Sequence, residues 1–133
     1  MPIPCADIVI VSRGKFLLGK RKNKPAQGKW WLVGGRINKG EHLRHAALRH
    51  VRIETGIPNA VIVKLLGAGE GFFRGSAQGP SSHSIGIVFL VKVPYKEIIK
   101  PADSENAEFA WFSKIDKKWA PYVKEMLGLA GFT

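Results

Sequence analysis

Glu54 closes a stretch whose spacing reads as a helix: Leu43, Ala47, Val51 and Glu54 recur at three- and four-residue intervals, and Gly56 follows as a stop. At about 100° per residue, His50 and Glu54 fall within roughly 40° of each other, on the side that carries Leu43 and Ala47. A carboxylate there is off the wet face. It is either a partly buried charge paired with a nearby arginine or an oxygen ligand for a hard divalent cation. Gly34 and Gly35 favour the second, because a glycine loop can turn tightly and bring a backbone carbonyl beside the carboxylate. Oxygen donors of this kind suit Mg²⁺ or Mn²⁺ bound to substrate phosphates. His50 is a turn away and could form an i, i+4 metal pair, but imidazole suits softer ions, so its expected role is packing or hydrogen bonding. Ile53 reads as core.

Arg21 and Arg36 are the cationic candidates, since a guanidinium fork matches phosphate oxygens; the competing reading is a solvated basic surface. Net charge is +11 over 133 residues, and its distribution is lopsided. Residues 1–52 carry twelve Lys or Arg against Asp7 and Glu41, a net +10, while the remaining residues are almost neutral. Such a field draws anions to the face built by the first half. Nucleic acid is the rival partner, but no recognition helix, zinc finger or RNA-binding strand motif accompanies the charge.

The spacing Gly35, Glu41, Arg49, Glu54-x-Gly56-Ile57 resembles the Nudix hydrolase signature G-x5-E-x7-R-E-U-x-E-E-x-G-U, with U aliphatic. His50 and Ile53 stand where that family carries glutamates. Residues 12–36, SRGKFLLGKRKNKPAQGKWWLVGGR, resemble the GDP-mannose mannosyl hydrolase branch, whose helix also lacks the first two glutamates. The resemblance implies an α/β fold, an α/β/α sandwich around a mixed sheet, as a single domain over 1–133. It implies Mg²⁺ held by Gly35 and Glu54, with Mn²⁺ as the alternative ion, and a nucleoside diphosphate sugar, GDP-mannose or a related GDP-sugar, hydrolysed at the C–O bond. Hydrolysis of the diphosphate by a pyrophosphohydrolase is the enzyme alternative, and a weakly active nucleotide- or RNA-binding module is the other. Arg21 and Arg36 match arginines that assist departure of the diphosphate, Asp7 matches an aspartate at the sugar, and Glu41 and Arg49 form framework. Aligning on Phe109-Ala110-Trp111 puts Glu105 in a ligand position and Asn106 where the branch has a histidine base. Asn106 cannot accept a proton at neutral pH, so Glu105, or Glu108 after a small shift, becomes the candidate base. His83 is a further candidate for the base or for phosphate contact, against an ordinary histidine at a strand start. The branch also admits a homodimer.

The elements that must position these residues follow from local pattern. Asp7–Val11 and Lys15–Lys20 read as strands of a hairpin turned by Ser12-Arg13-Gly14, and Lys29–Val33 as a strand delivering the glycine pair. Ala60–Leu66, Ser84–Val93 and Ala107–Phe112 read as strands, and Ala120–Ala130 as a terminal helix. Gly67–Ser82, with five glycines and a proline, reads as a long loop, and Pro94–Asn106 as a second connection. Trp30, Phe72 and Phe73 could stack a nucleobase, though thirteen aromatics in one domain are more often core. The 45% hydrophobic content suits one core. Cys5 is the single cysteine, so no intrachain disulfide forms. With no apolar run of membrane-spanning length and no signal pattern, the expected compartment is the cytoplasm.

Overall fold

The computed structural model describes residues 2–22, 27–76, 79–94 and 106–133. The opening apolar run forms β1 (Ile3–Ser12), and Arg13 and Gly14, at φ 52° and 76°, turn it into β2 (Lys15–Arg21). A two-residue turn with positive φ matches the twist of a hairpin, and it sets Ser12 opposite Lys15. β3 (Trp30–Trp31), β4 (Val33–Arg36), α1 (Leu43–Thr55), β5 (Val61–Ser76), β6 (Gly79–Lys92), β7 (Asn106–Phe112) and α2 (Pro121–Leu129) follow.

β1 organises the sheet. On one edge its last residues pair antiparallel with β2 and residues Cys5 to Ile8 pair antiparallel with β4; on the other, Ile3 to Val11 run parallel to β6. β3 joins β2 at Gly19 and Lys20, β7 runs along the outer edge of β2, and β5 closes the far edge against β6. The result is a mixed sheet of seven strands.

Alternation along the strands splits the core in two. Ile8, Ile10, Leu17, Val33, Phe89 and Val91 pack under Ala46, Ala47 and Val51 of α1. Val9, Phe16, Leu18 and Val88 face Val123, Met126 and Leu127 of α2. The α/β/α sandwich expected from sequence is therefore present. Gly56 ends α1 at φ 73°, donating its N–H to the Arg52 carbonyl at 2.9 Å, and Pro121 opens α2 at a position where its missing N–H costs nothing.

Four local expectations differ from the structure. Residues 67–76 and 79–82 are not loop: they extend β5 and β6, which run antiparallel and pair Gly69 with Gly86 and Gly71 with Ser84. Gly69 on β5 and Gly86 on β6 make room for α2: a Cβ on Gly69 would stand 2.6 Å from the Tyr122 ring and one on Gly86 would meet the Tyr122 hydroxyl. Gly34 and Gly35 lie within β4, opposite Asp7 and Ala6, so the turn toward α1 comes after them. Asp7 does not open its strand: β1 begins at Ile3, and Asp7 lies inside it between β4 and β6. Ile53 is 37% exposed and is not core. Trp30 packs edge-on against Phe112 at 5.2 Å in the aromatic layer under α2, as the core reading expects. Glu105 and the side chains of Phe72 and Phe73 lie outside the described residues.

Candidate active site

The segment leaving β4 is clamped onto α1 by one carboxylate. Glu41 accepts from Arg49 Nε at 2.7 Å and Nη2 at 2.9 Å, from the Asn38 N–H at 3.0 Å, and contacts His45 Nδ1 at 2.7 Å. The Arg49 hydrogen bond, followed by that of Asn38, holds the Glu41 carboxyl well below the usual carboxylate range. Arg49 also donates to the Arg36 carbonyl at 3.0 Å, and His50 Nε2 reaches the same oxygen at 2.9 Å. Gly35 lies against the imidazole, where a Cβ would come within 2.6 Å of Cε1. Among the described residues His50 thus serves as a hydrogen-bonding spacer between β4 and α1, with Nδ1 buried and unpartnered.

One turn further on, Glu54 is 6% exposed, and Asn106, at the start of β7, is 3% exposed. Asn106 Nδ2 donates to Glu54 Oε2 at 2.9 Å. The β2–β7 register shifts between Lys20 and Arg21, so Arg21 pairs with Asn106. Gly19 leaves the space that the Asn106 side chain fills: a Cβ there would overlap its Oδ1. Sequence reasoning treated Asn106 as a missing base and overlooked Gly19; the available signal was a lone glycine inside the apolar strand KFLLGKR, a mark of close approach.

The resemblance implies a divalent ion at Glu54. Among the described residues no three His, Cys, Asp or Glu side chains gather into a metal cluster. An ion carried in on substrate phosphates, keeping several waters, requires only one or two protein carboxylates. The buried Glu54 carboxylate and the backbone at Gly35 are hard oxygen donors of that type, and they fit Mg²⁺ or Mn²⁺ in that role.

A second group forms on the α2 side of the sheet. Tyr122 donates its hydroxyl to Asp7 Oδ2 at 2.5 Å and stacks on Trp31 at 5.9 Å. Burial pushes the Asp7 carboxyl up to about 6, against the lowering effects of Tyr122 and of the Arg21 charge. Burial, then the Asp7 charge, pushes the neighbouring Cys5 thiol up to about 11, while Arg36 and Arg21 act in the opposite direction. Arg21, Arg36 and Asp7 therefore share one electrostatic neighbourhood. His83 does not join it: within β6 it pairs with Glu70 on β5 at 2.8 Å. Glu108 forms an exposed pair with Lys20 at 3.5 Å.

A family model for the NUDIX domain matches residues 1–125. The chain belongs to the Nudix family. An ADP-ribose pyrophosphatase of Methanocaldococcus jannaschii is 34% identical over 117 residues, 87% of this chain and 66% of its own length. The low-salt glycan biosynthesis protein Agl8 of Haloferax volcanii is 31% identical over 129 residues, 96% of this chain and 81% of its own length. Among solved structures, a MutT protein from Methanosarcina mazei superimposes with a TM-score of 0.76 at 25% identity, covering 97% of this chain and 94% of that one. No helix among the described residues of this Nudix domain is long and apolar enough to cross a membrane.

Proposed function

We propose that this Nudix hydrolase acts on a nucleoside diphosphate sugar, with Mg²⁺ or Mn²⁺ held by Glu54 and the Gly35 carbonyl and completed by Glu105. The observation that carries this reading is the pairing of Arg36 on β4 with Cys5, two residues from Asp7 on β1, with the Arg21 charge acting on both Cys5 and Asp7. The strand that carries them also pairs with β4, which leads to the Glu54 helix. An ion bound there would supply positive charge to offset the negative charge of the diphosphate. Arg21 and Arg36 stabilise charge as the diphosphate departs, and Asp7 takes sugar hydroxyls. A GDP-sugar cleaved at the C–O bond is the first reading, supported by residues 12–36 and by His50 and Ile53 in place of glutamates.

Attack at phosphorus is the second reading. It is favoured by the Methanocaldococcus relative, whose name describes cleavage of ADP-ribose, itself a nucleoside diphosphate carrying a sugar. Incubating the protein with GDP-mannose or ADP-ribose and Mg²⁺ in ¹⁸O-labelled water separates the two. Label in free sugar with GDP released establishes C–O cleavage; label in a nucleoside monophosphate or sugar phosphate establishes attack at phosphorus. No turnover on either substrate, or across a wider panel of nucleoside diphosphates, removes the proposal.

A further inference from the structure

Resting on the reading of Glu54 as the metal ligand, we infer that Asn106 is the positioning residue that sets the orientation of the Glu54 carboxylate. Their side chains meet inside the protein, from β7 and α1, at 2.9 Å. Three features of the fold converge on this contact. The register shift beside Arg21 fixes how the start of β7 meets β2. Gly19 provides the only kind of floor that accepts the amide, since any side chain there would overlap it. His50 and Gly35 fix the preceding turn of α1 against β4, so Glu54 approaches from a helix with a set position.

The chemistry of the partner is equally specific. A Lys or Arg in that place would compensate the carboxylate's negative charge, whereas a neutral amide fixes one oxygen without itself cancelling the charge. Amide donation to Oε2 fixes the plane of the carboxylate and holds it in one rotamer. Outer partners of this type characteristically change metal affinity by about 10- to 100-fold when removed. The position that a base occupies in the resembling branch here serves geometry.

The test measures metal binding directly, by the loss of the free Mn²⁺ electron paramagnetic resonance signal on titrating full-length protein. Wild type, E54Q, N106A and G19A are compared, with thermal unfolding of each as a folding control. The expected result is that E54Q loses most binding, while N106A and G19A each weaken it by about 10- to 100-fold. G19A retains the amide and only displaces it, so it reports position where N106A reports the group itself. If E54Q binds Mn²⁺ like wild type, the metal-ligand reading fails. If E54Q loses binding while folded N106A and G19A both keep wild-type affinity, Asn106 has no positioning role and the inference is overturned. Should N106A fail to fold, G19A alone decides by the same criterion.

Discussion

Tyr122 on α2 donates its hydroxyl to Asp7 in the middle of β1 at 2.5 Å, bridging the C-terminal helix and the central strand. Burial dominates the balance at Asp7 and raises its carboxyl from 3.8 to about 6. A raised carboxyl means that the folded state holds its proton more tightly. The resulting stability is fully present below pH 3.8 and is lost as pH rises through about 6. Relative to D7N, wild type is expected to lose about 3 kcal/mol between these limits, then level off. Thermal unfolding of both proteins across the window checks the slope. Y122F, lacking the hydrogen bond that favours the carboxylate, is expected to carry the transition to higher pH.

Glu41 works with the opposite sign. Arg49 first, then the Asn38 N–H, depress its carboxyl, so its contribution is present above the ordinary value of 4.5 and is lost as pH falls through the folded value. The difference in Tm between wild type and E41Q is expected to stay level from about pH 8 to 5. It should shrink only in stronger acid. A gap that closes already between neutrality and pH 5 removes the Arg49 clamp as its source.

Gly69 and Tyr122 form a steric pair. G69A places a methyl 2.6 Å from the ring and is expected to destabilise by about 1–3 kcal/mol, as overpacking does. Y122A costs stability on its own, but in that background G69A should add little. A double-mutant cycle by urea denaturation checks this, and full additivity would show that α2 does not press on the hairpin there.

On the proposed chemistry, R21A and R36A are each expected to lower kcat by about 100- to 1,000-fold, the scale for losing one donor to a developing negative charge. Their effect on KM should be smaller. Steady-state kinetics on the nucleotide sugar that turns over decides, and a change confined to KM would reassign both residues to simple ground-state attraction.

The sandwich, the hairpin and the α1 boundary were legible because each rests on short-range signals: alternation, a positive-φ turn and a glycine stop. Glu54 could be placed on the inner side of α1 by spacing alone. The loop expected at 67–82 failed because its glycines resemble breakers in sequence, whereas in the fold Gly69 lies on β5 and is the clearance for Tyr122, more than fifty residues away. Ile53 looked like core from its side chain, and only the position of α1 on the sheet reveals that it points outward. The Asn106 contact was hidden for a related reason. It depends on a register shift between β2 and β7 and on a glycine in β2, and neither leaves a pattern near Glu54 or Asn106 themselves.

The parallel ladder between β1 and β6 also governs how the domain can be made. Ile3 cannot find Ser84, nor Val11 find Lys92, until nearly seven tenths of the chain exists, so the central strand waits for a partner far downstream. Closing so large a loop is entropically costly before its contacts form, which places this topology among slow folders. During synthesis the apolar β1–β2 hairpin emerges early with one edge open. The excess positive charge of the first 52 residues then acts as a guard, keeping nascent chains apart while that edge is unpaired.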